Sequence, residues 1–196
     1  ERRVIMEWTA EAAGRRLPLA VTVAEPSVHG QVAFVRAARD AGADWVILQP
    51  PPVAGLAEIE YLRFFGAVAD ASPVPVAIQN AAQFLGIGLS NAGLKTLHRN
   101  HPNVCLLKGE APAAAIARLI EETEGAYRVF NGRGGLELPD CLRAGCAGMI
   151  PAPECFDLQV ACYDAMRAGC EDEAEAHYRA MLPLVTFMMG SIDTFV

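Results

Sequence analysis

The sequence predicts an α/β fold and, within that class, a (β/α)8 TIM barrel with six of its eight strands visible and extra helices at the C-terminus. Three observations carry this. Strand and helix patterns alternate six times along the chain. The strand segments are nearly uninterrupted apolar runs, as expected of a parallel sheet covered by helices. Polar residues recur where strands end: Glu25, Gln49, Gln79-Asn80, Lys108-Gly109-Glu110 and Asn131. A barrel gathers such positions at one mouth, where active sites are built. An open doubly wound sheet concentrates its site at one switch point and carries a glycine fingerprint after its first strand, which this sequence does not have.

The elements follow from local patterns. Glu1 to Trp8 reads as part of an amphipathic helix, with Val4, Ile5 and Trp8 on one face and charges opposite. The residues 14–18 break it, and Leu19 to Ala24 is a β-branched strand. A helix over 31–40 closes at Ala41-Gly42-Ala43; the strand 44–48 follows and ends at Gln49 and three prolines. Next come a helix over 58–69, a strand over 74–78, a helix over 91–99 and the strand 104–107 that delivers Lys108. The pattern continues with a helix over 112–122, a strand over 127–130, a helix over 136–143 and a strand over 147–150. Two helices finish the chain, over 156–167 and 172–189; the second carries Ala174, Tyr178, Met181, Leu182, Val185 and Met189 on one stripe. The expected organisation is a barrel part over 1–153 and C-terminal helices over 154–196. The opening residues carry no initiator methionine and no helix cap, as if the chain began partway through a longer one.

Composition bounds the chemistry. With 53% apolar and 20% charged residues the chain has material for one core, and its length fits one domain. A net charge of −7 without a basic cluster argues against nucleic acid and anionic membrane surfaces as partners. No apolar run approaches transmembrane length. Six cysteines form no C-x-x-C pair and sit largely in apolar patterns, so they read as reduced thiols of a cytoplasmic protein. No metal site is expected: His98 and His101 have no acidic or thiol ligands clustered with them. Gly132-Arg133-Gly134-Gly135 lacks the spacing of either nucleotide motif and reads as a turn into the next helix.

The chemistry centres on Val104-Cys-Leu-Leu-Lys108-Gly-Glu110. Lys95 and Lys108 are the only lysines among 16 basic residues. A chain that builds its positive surface from arginine has no solubility reason to end a buried strand in lysine. Burial can leave a lysine amine neutral and nucleophilic, able to condense with a ketone. Strand alternation puts Lys108 and Glu110 on the same side, a nucleophile with a proton shuttle beside it. The bland alternatives are a lysine snorkelling to solvent and a salt bridge that merely neutralises both groups.

These residues resemble the dihydrodipicolinate synthase/N-acetylneuraminate lyase family of class I aldolases, across essentially the whole chain. The matching landmarks are Ala41-Gly-Ala-Asp44 with the following strand and Gln49-Pro-Pro-Pro52, Val74-Pro-Val-Ala-Ile78, Leu107-Lys108-Gly-Glu110, and Gly145-Cys-Ala-Gly148-Met-Ile150. The resemblance implies that Lys108 forms an imine with a 2-keto acid, and that the visible strands are strands 3–8 of the barrel. The family's threonine pair and carboxylate-binding loop would lie upstream, and a complete barrel takes about 250 residues. The final Ser191-Ile-Asp-Thr-Phe-Val196 stops where relatives continue. Gln79 stands where the synthases and sialic-acid lyases carry a tyrosine, and its amide cannot relay a proton. Together with Lys-x-Glu this resembles the 2-keto-3-deoxy-L-arabonate dehydratase branch.

The resulting expectation is a Schiff-base lyase that dehydrates a 2-keto-3-deoxy sugar acid. Lys108 and Glu110 are its catalytic residues. Gln79, Asn80, Asn131 and backbone groups from Gly148 to Ile150 are its substrate-binding set. No metal or diffusible cofactor is implied, and a homo-oligomer, a tetramer by resemblance, is the default. The rivals are an aldolase or dihydrodipicolinate synthase, and a catalytically silent relative that binds a keto acid.

Overall fold

The computed structural model describes residues 1–191; residues 192–196, most of the stretch where relatives are expected to continue, lie outside the described residues. The chain is an α/β fold with one six-stranded sheet. Its strands are β1 (Ala20–Val23), β2 (Trp45–Leu48), β3 (Val76–Asn80), β4 (Val104–Gly109), β5 (Arg128–Asn131) and β6 (Gly148–Met149), hydrogen-bonded in sequence order. It divides into two compact units, Glu1–Leu107 and Lys108–Val196, so the division falls inside β4.

In the first unit β1, β2 and β3 pair in parallel, with Thr22 opposite Ile47 and Leu48 opposite Ile78. The helices are α1 (Arg2–Ala13), α2 (Val28–Asp40), α3 (Glu58–Asp70), α4 (Ala82–Leu85) and α5 (Asn91–Asn100). Val23, Val35, Leu48, Phe65, Ile78, Leu94 and Leu97 are fully buried and form its core. Two of these helices start on side-chain caps: Ser27 Oγ accepts from Gly30 N–H at 3.1 Å, and Ser90 Oγ from Gly93 N–H at 3.0 Å. The strand expected over 74–78 is displaced to Val76–Asn80: Pro75 has no N–H to give a ladder, and Gln79 and Asn80 continue the extended chain. Helix α4, a single turn, escapes any periodicity argument.

The apolar face expected on the first helix is not its packing face. Val4, Ile5 and Trp8 are exposed, Trp8 at 66%, and Met6 is the buried residue. Arg2 fastens the helix instead: its guanidinium lies 4.5 Å over the Phe34 ring and donates to Thr22 O and Glu25 Oε1, both at 2.8 Å.

In the second unit β5 and β6 pair in parallel, Phe130 opposite Gly148. Its helices are α6 (Ala113–Glu122), α7 (Leu138–Arg143), α8 (Phe156–Ala168) and α9 (Glu171–Gly190). The expected stripe on the last helix is largely the observed one: Ala174, Met181 and Val185 are buried with Leu138, Cys155, Cys162 and Ala165, while Tyr178 and Met189 pack at the edge. The last helix continues through Pro183, where Thr186 Oγ1 caps Leu182 O at 2.7 Å. The helix expected from 136 begins at Leu138, after a 3-10 turn over Arg133–Gly135 that takes up the glycines.

Packing of α3 against the chain after α5 depends on Gly66. A Cβ there would stand 2.4 Å from His101 Nε2, and His101 is tethered to Asp70 Oδ1 at 2.6 Å. Gly66→Leu, although better suited to a helix, should therefore lower stability by about 1–3 kcal/mol through overpacking, read as a fall in the urea midpoint with an unchanged slope.

Candidate active site

In the second unit the site is built on the end of β4. Alternation along the strand puts Lys108 and Glu110 on one side, and Lys108 Nζ lies 3.2 Å from Glu110 Oε1. Both side chains are largely withdrawn from water, at 19% and 14% exposure. An amine and a carboxylate so placed can exchange a proton, and either can give or take one from a third group brought between them. Gly109, between them, faces the other way: a Cβ there would meet Ile116 Cδ1 of α6 at 2.7 Å, so the tip of that side chain would have to shift.

The segment after β5 encloses Glu110. Gly132 N–H donates to Gly109 O at 2.8 Å. A Cβ on Gly132 would stand 3.0 Å from Glu110 Cγ and 3.1 Å from its Cδ. Asn131 does not present its amide to an open mouth, as expected of a substrate ligand. It is 0% exposed, and its amide binds Ala111 O (2.9 Å), Gly132 N–H (3.0 Å), Ala111 N–H (3.4 Å) and Cys141 Sγ (3.1 Å). Asn131 shares the buried face of β5 with Val129, and this is why it packs inward.

Of the backbone groups expected from Gly148 to Ile150, the Ile150 N–H is engaged. A Cβ on Gly148 would press on the Phe130 ring at 3.3 Å, and Ile150 N–H already donates to Asn131 O at 2.7 Å. That N–H is therefore committed to extending the β5–β6 ladder, not open to a carboxylate as expected.

Sequence reasoning missed a neighbouring network. Arg133 and Glu137 both adopt positive φ, 57° and 60°, and form an ion pair. The Glu137 carboxylate also caps Ala113 N–H at 3.1 Å, and Glu137 N–H donates to Tyr178 Oη at 2.8 Å. Burial pushes the Tyr178 phenol up from its ordinary pKa. A left-handed backbone at Arg133 and Glu137 has no signature in residue type, since neither is glycine or asparagine. Behind Asn131, Cys141 and Cys146 are in hydrogen-bond contact. That contact with the Cys146 thiol, then the Asn131 amide, draws the Cys141 thiol down against the opposing effect of burial. The same contact and burial push the Cys146 thiol up.

In the first unit the strand tips are linked by glutamines. Gln49 Nε2 donates to Gln79 Oε1 at 2.9 Å. Gln31, fully buried on α2, donates to Gln49 O and Glu25 O, both at 2.9 Å, tying the ends of β1 and β2 together. Nothing in the sequence marked Gln31, which reads as one more polar residue on a helix. Asn80 follows Gln79 and therefore points to the opposite side of β3. Its amide is bonded twice to Leu89, Nδ2 to the carbonyl at 3.1 Å and Oδ1 from the N–H at 2.7 Å. The expected substrate ligand Asn80 is thus a clasp across the 81–88 loop.

Comparison with known proteins gives this α/β chain, with its strand-end lysine and closely held glutamate, a family. The sequence pattern of the dihydrodipicolinate synthetase family matches residues 1–193, and the chain belongs to that family. It is similar to L-2-keto-3-deoxyarabonate dehydratase of Azospirillum brasilense, 29% identical over 194 residues, covering 94% of this chain and 62% of the relative. It is also similar to 4-hydroxy-tetrahydrodipicolinate synthase of Methanosphaerula palustris, 27% identical over 184 residues, covering 92% of this chain and 62% of the relative. Among solved structures, YagE of Escherichia coli K12, a prophage protein of the same family crystallised with pyruvate, superposes with a TM-score of 0.90 at 23% identity, covering 98% of this chain and 66% of that one. The chain therefore spans about two thirds of the length of relatives it matches, 62% for each of the two enzymes and 66% for YagE.

Proposed function

We propose that the protein is a Schiff-base lyase acting on a 2-keto acid, and that its reaction is the dehydration of a 2-keto-3-deoxy sugar acid. The observation that carries this is the Lys108–Glu110 pair, 3.2 Å apart and largely shielded at a strand end. The six strands are read as strands 3–8 of a (β/α)8 barrel, and the assembly as a cytoplasmic homo-oligomer, a tetramer by family likeness.

Lys108 passes a proton to Glu110, 3.2 Å away, and its neutral amine attacks the C2 ketone; Glu110 returns that proton to the carbinolamine hydroxyl, which leaves as water and gives an iminium. The iminium acts as an electron sink and acidifies the C3 hydrogens. Glu110 removes one of them, and the electron pair flows into the enamine. That pair then expels the C4 hydroxyl, protonated by Glu110 or by water, so that one water departs. Hydrolysis of the imine returns Lys108 and the unsaturated keto acid, which tautomerises. A carboxylate beside the amine serves this sequence twice, as base toward C3 and as acid toward the leaving oxygen. Gln79 is assigned to substrate orientation by family likeness, and with an amide in place of a phenol it relays no proton. The reading calls for no metal or diffusible cofactor. Similarity to the Azospirillum brasilense dehydratase supports the choice of elimination. The competing reading within the family is condensation, as in the synthases.

Three outcomes test the proposal in the intact natural protein. Incubation with pyruvate and borohydride should add one reduced pyruvyl group, and a peptide map should place it on Lys108 and not on the exposed Lys95. Labelling at Lys95, or none in active protein, would sink the imine mechanism. Dehydration of 2-keto-3-deoxy sugar acids should exceed condensation of pyruvate with aspartate semialdehyde when both are assayed on one preparation; dominant condensation would move the protein to the synthase branch. Glu110→Gln should keep the imine trap nearly intact while turnover falls by ~10² or more, the lower range for loss of a general acid–base group.

A further inference from the structure

We infer that Asn131 is a positioning residue for Glu110, a role that rests on the catalytic reading of Glu110 above. Glu110 stands one residue past the end of β4, where a strand loses its ladder and frays. A general base there must still be held within hydrogen-bond reach of the proton it takes. The structure supplies the missing ladder with a side chain. The Asn131 amide takes both backbone groups of Ala111, the residue after Glu110: its Nδ2 donates to Ala111 O at 2.9 Å, and its Oδ1 accepts from Ala111 N–H at 3.4 Å.

Asparagine is suited to this. Its amide carries a donor and an acceptor side by side, as a backbone peptide does, and can stand in for a neighbouring strand. The second Nδ2 hydrogen goes to Cys141 Sγ at 3.1 Å, and Oδ1 also accepts from Gly132 N–H at 3.0 Å. The latter contact fixes the glycine whose bare Cα lies against the Glu110 side chain. Glu110 is therefore gripped on three sides: before it by the Gly132 to Gly109 bond of 2.8 Å, after it by the Asn131 clamp on Ala111, and along its side chain by Gly132. The amide is fully buried and has no open approach for substrate, so its influence on the reaction passes through Glu110.

The test is a double-mutant cycle between Asn131→Ala and Glu110→Gln, with crystal structures of the single variants. Asn131→Ala should leave the pyruvate–borohydride trap at Lys108 in place and KM little changed, while kcat falls by ~10–10²-fold, the range for an Å-scale misplacement. In the Glu110→Gln background the same substitution should cost nothing further, because residues that act as a unit are not additive. In the structure of the Asn131→Ala variant the Lys108–Glu110 contact should be broken. Asn131→Asp keeps the shape and the Oδ1 acceptor but loses both Nδ2 donors; it should show the same pattern and covers the case in which the alanine variant does not fold. Independent, multiplying losses in the double variant, or an intact Lys108–Glu110 contact in both Asn131 variants, would overturn the inference. If Glu110→Gln alone proves silent, the catalytic reading of Glu110 fails, and the variant structures still decide whether Asn131 holds it.

Discussion

The second unit is arranged around one electrostatic constraint: a lysine and a glutamate withdrawn from bulk water must satisfy each other. Burying either alone would leave an uncompensated charge, a far larger penalty than an exposed pair ever returns. The 3.2 Å contact pairs the two groups. Gly109 lets α6 approach the strand from behind, Gly132 lets the next segment close over the carboxylate, and Asn131 secures the chain where β4 ends.

The first unit solves a milder problem with neutral groups. The tips of β2 and β3 carry amides, Gln49 and Gln79, bonded through their side chains, and a buried glutamine from α2 ties the backbone at Gln49 to that at Glu25 after β1. The donors of Gln31 and Gln49 each find a carbonyl, as buried amides generally must, while the Gln31 Oε1 acceptor takes no hydrogen bond. The arrangement holds Gln49 and Gln79 at fixed positions.

Much of this was legible in the sequence. The six strands follow from apolar runs bounded by breakers, and the placement of Lys108 and Glu110 together follows from a period of two. The same period, applied to its end, would have separated Gln79 from Asn80 and put Asn131 on the face of Val129. Strand-end position alone does not decide whether a polar residue faces an opening or its own backbone. Asn80 and Asn131 are asparagines because they imitate peptide groups, a use that leaves no mark in spacing. The exposure of Val4, Ile5 and Trp8 was hidden for a different reason: amphipathic periodicity reports that a helix has an apolar side, not what that side meets. Gln31, Arg133 and Glu137 depend on tertiary neighbours and on backbone conformations that residue type does not reveal.

The bare Cα of Gly132 has a consequence for when the glutamate's freedom is lost. A free glutamate side chain surrenders about 1.5–2 kcal/mol of rotamer entropy on being fixed. With Gly132 lying against its Cγ and Cδ, and Lys108 holding its oxygen, Glu110 gives up much of that freedom as the chain folds. On the proposed reading, a ligand arriving beside Lys108 would meet a carboxylate whose ordering is largely complete, and little of its own binding would be drawn upon to restrain it.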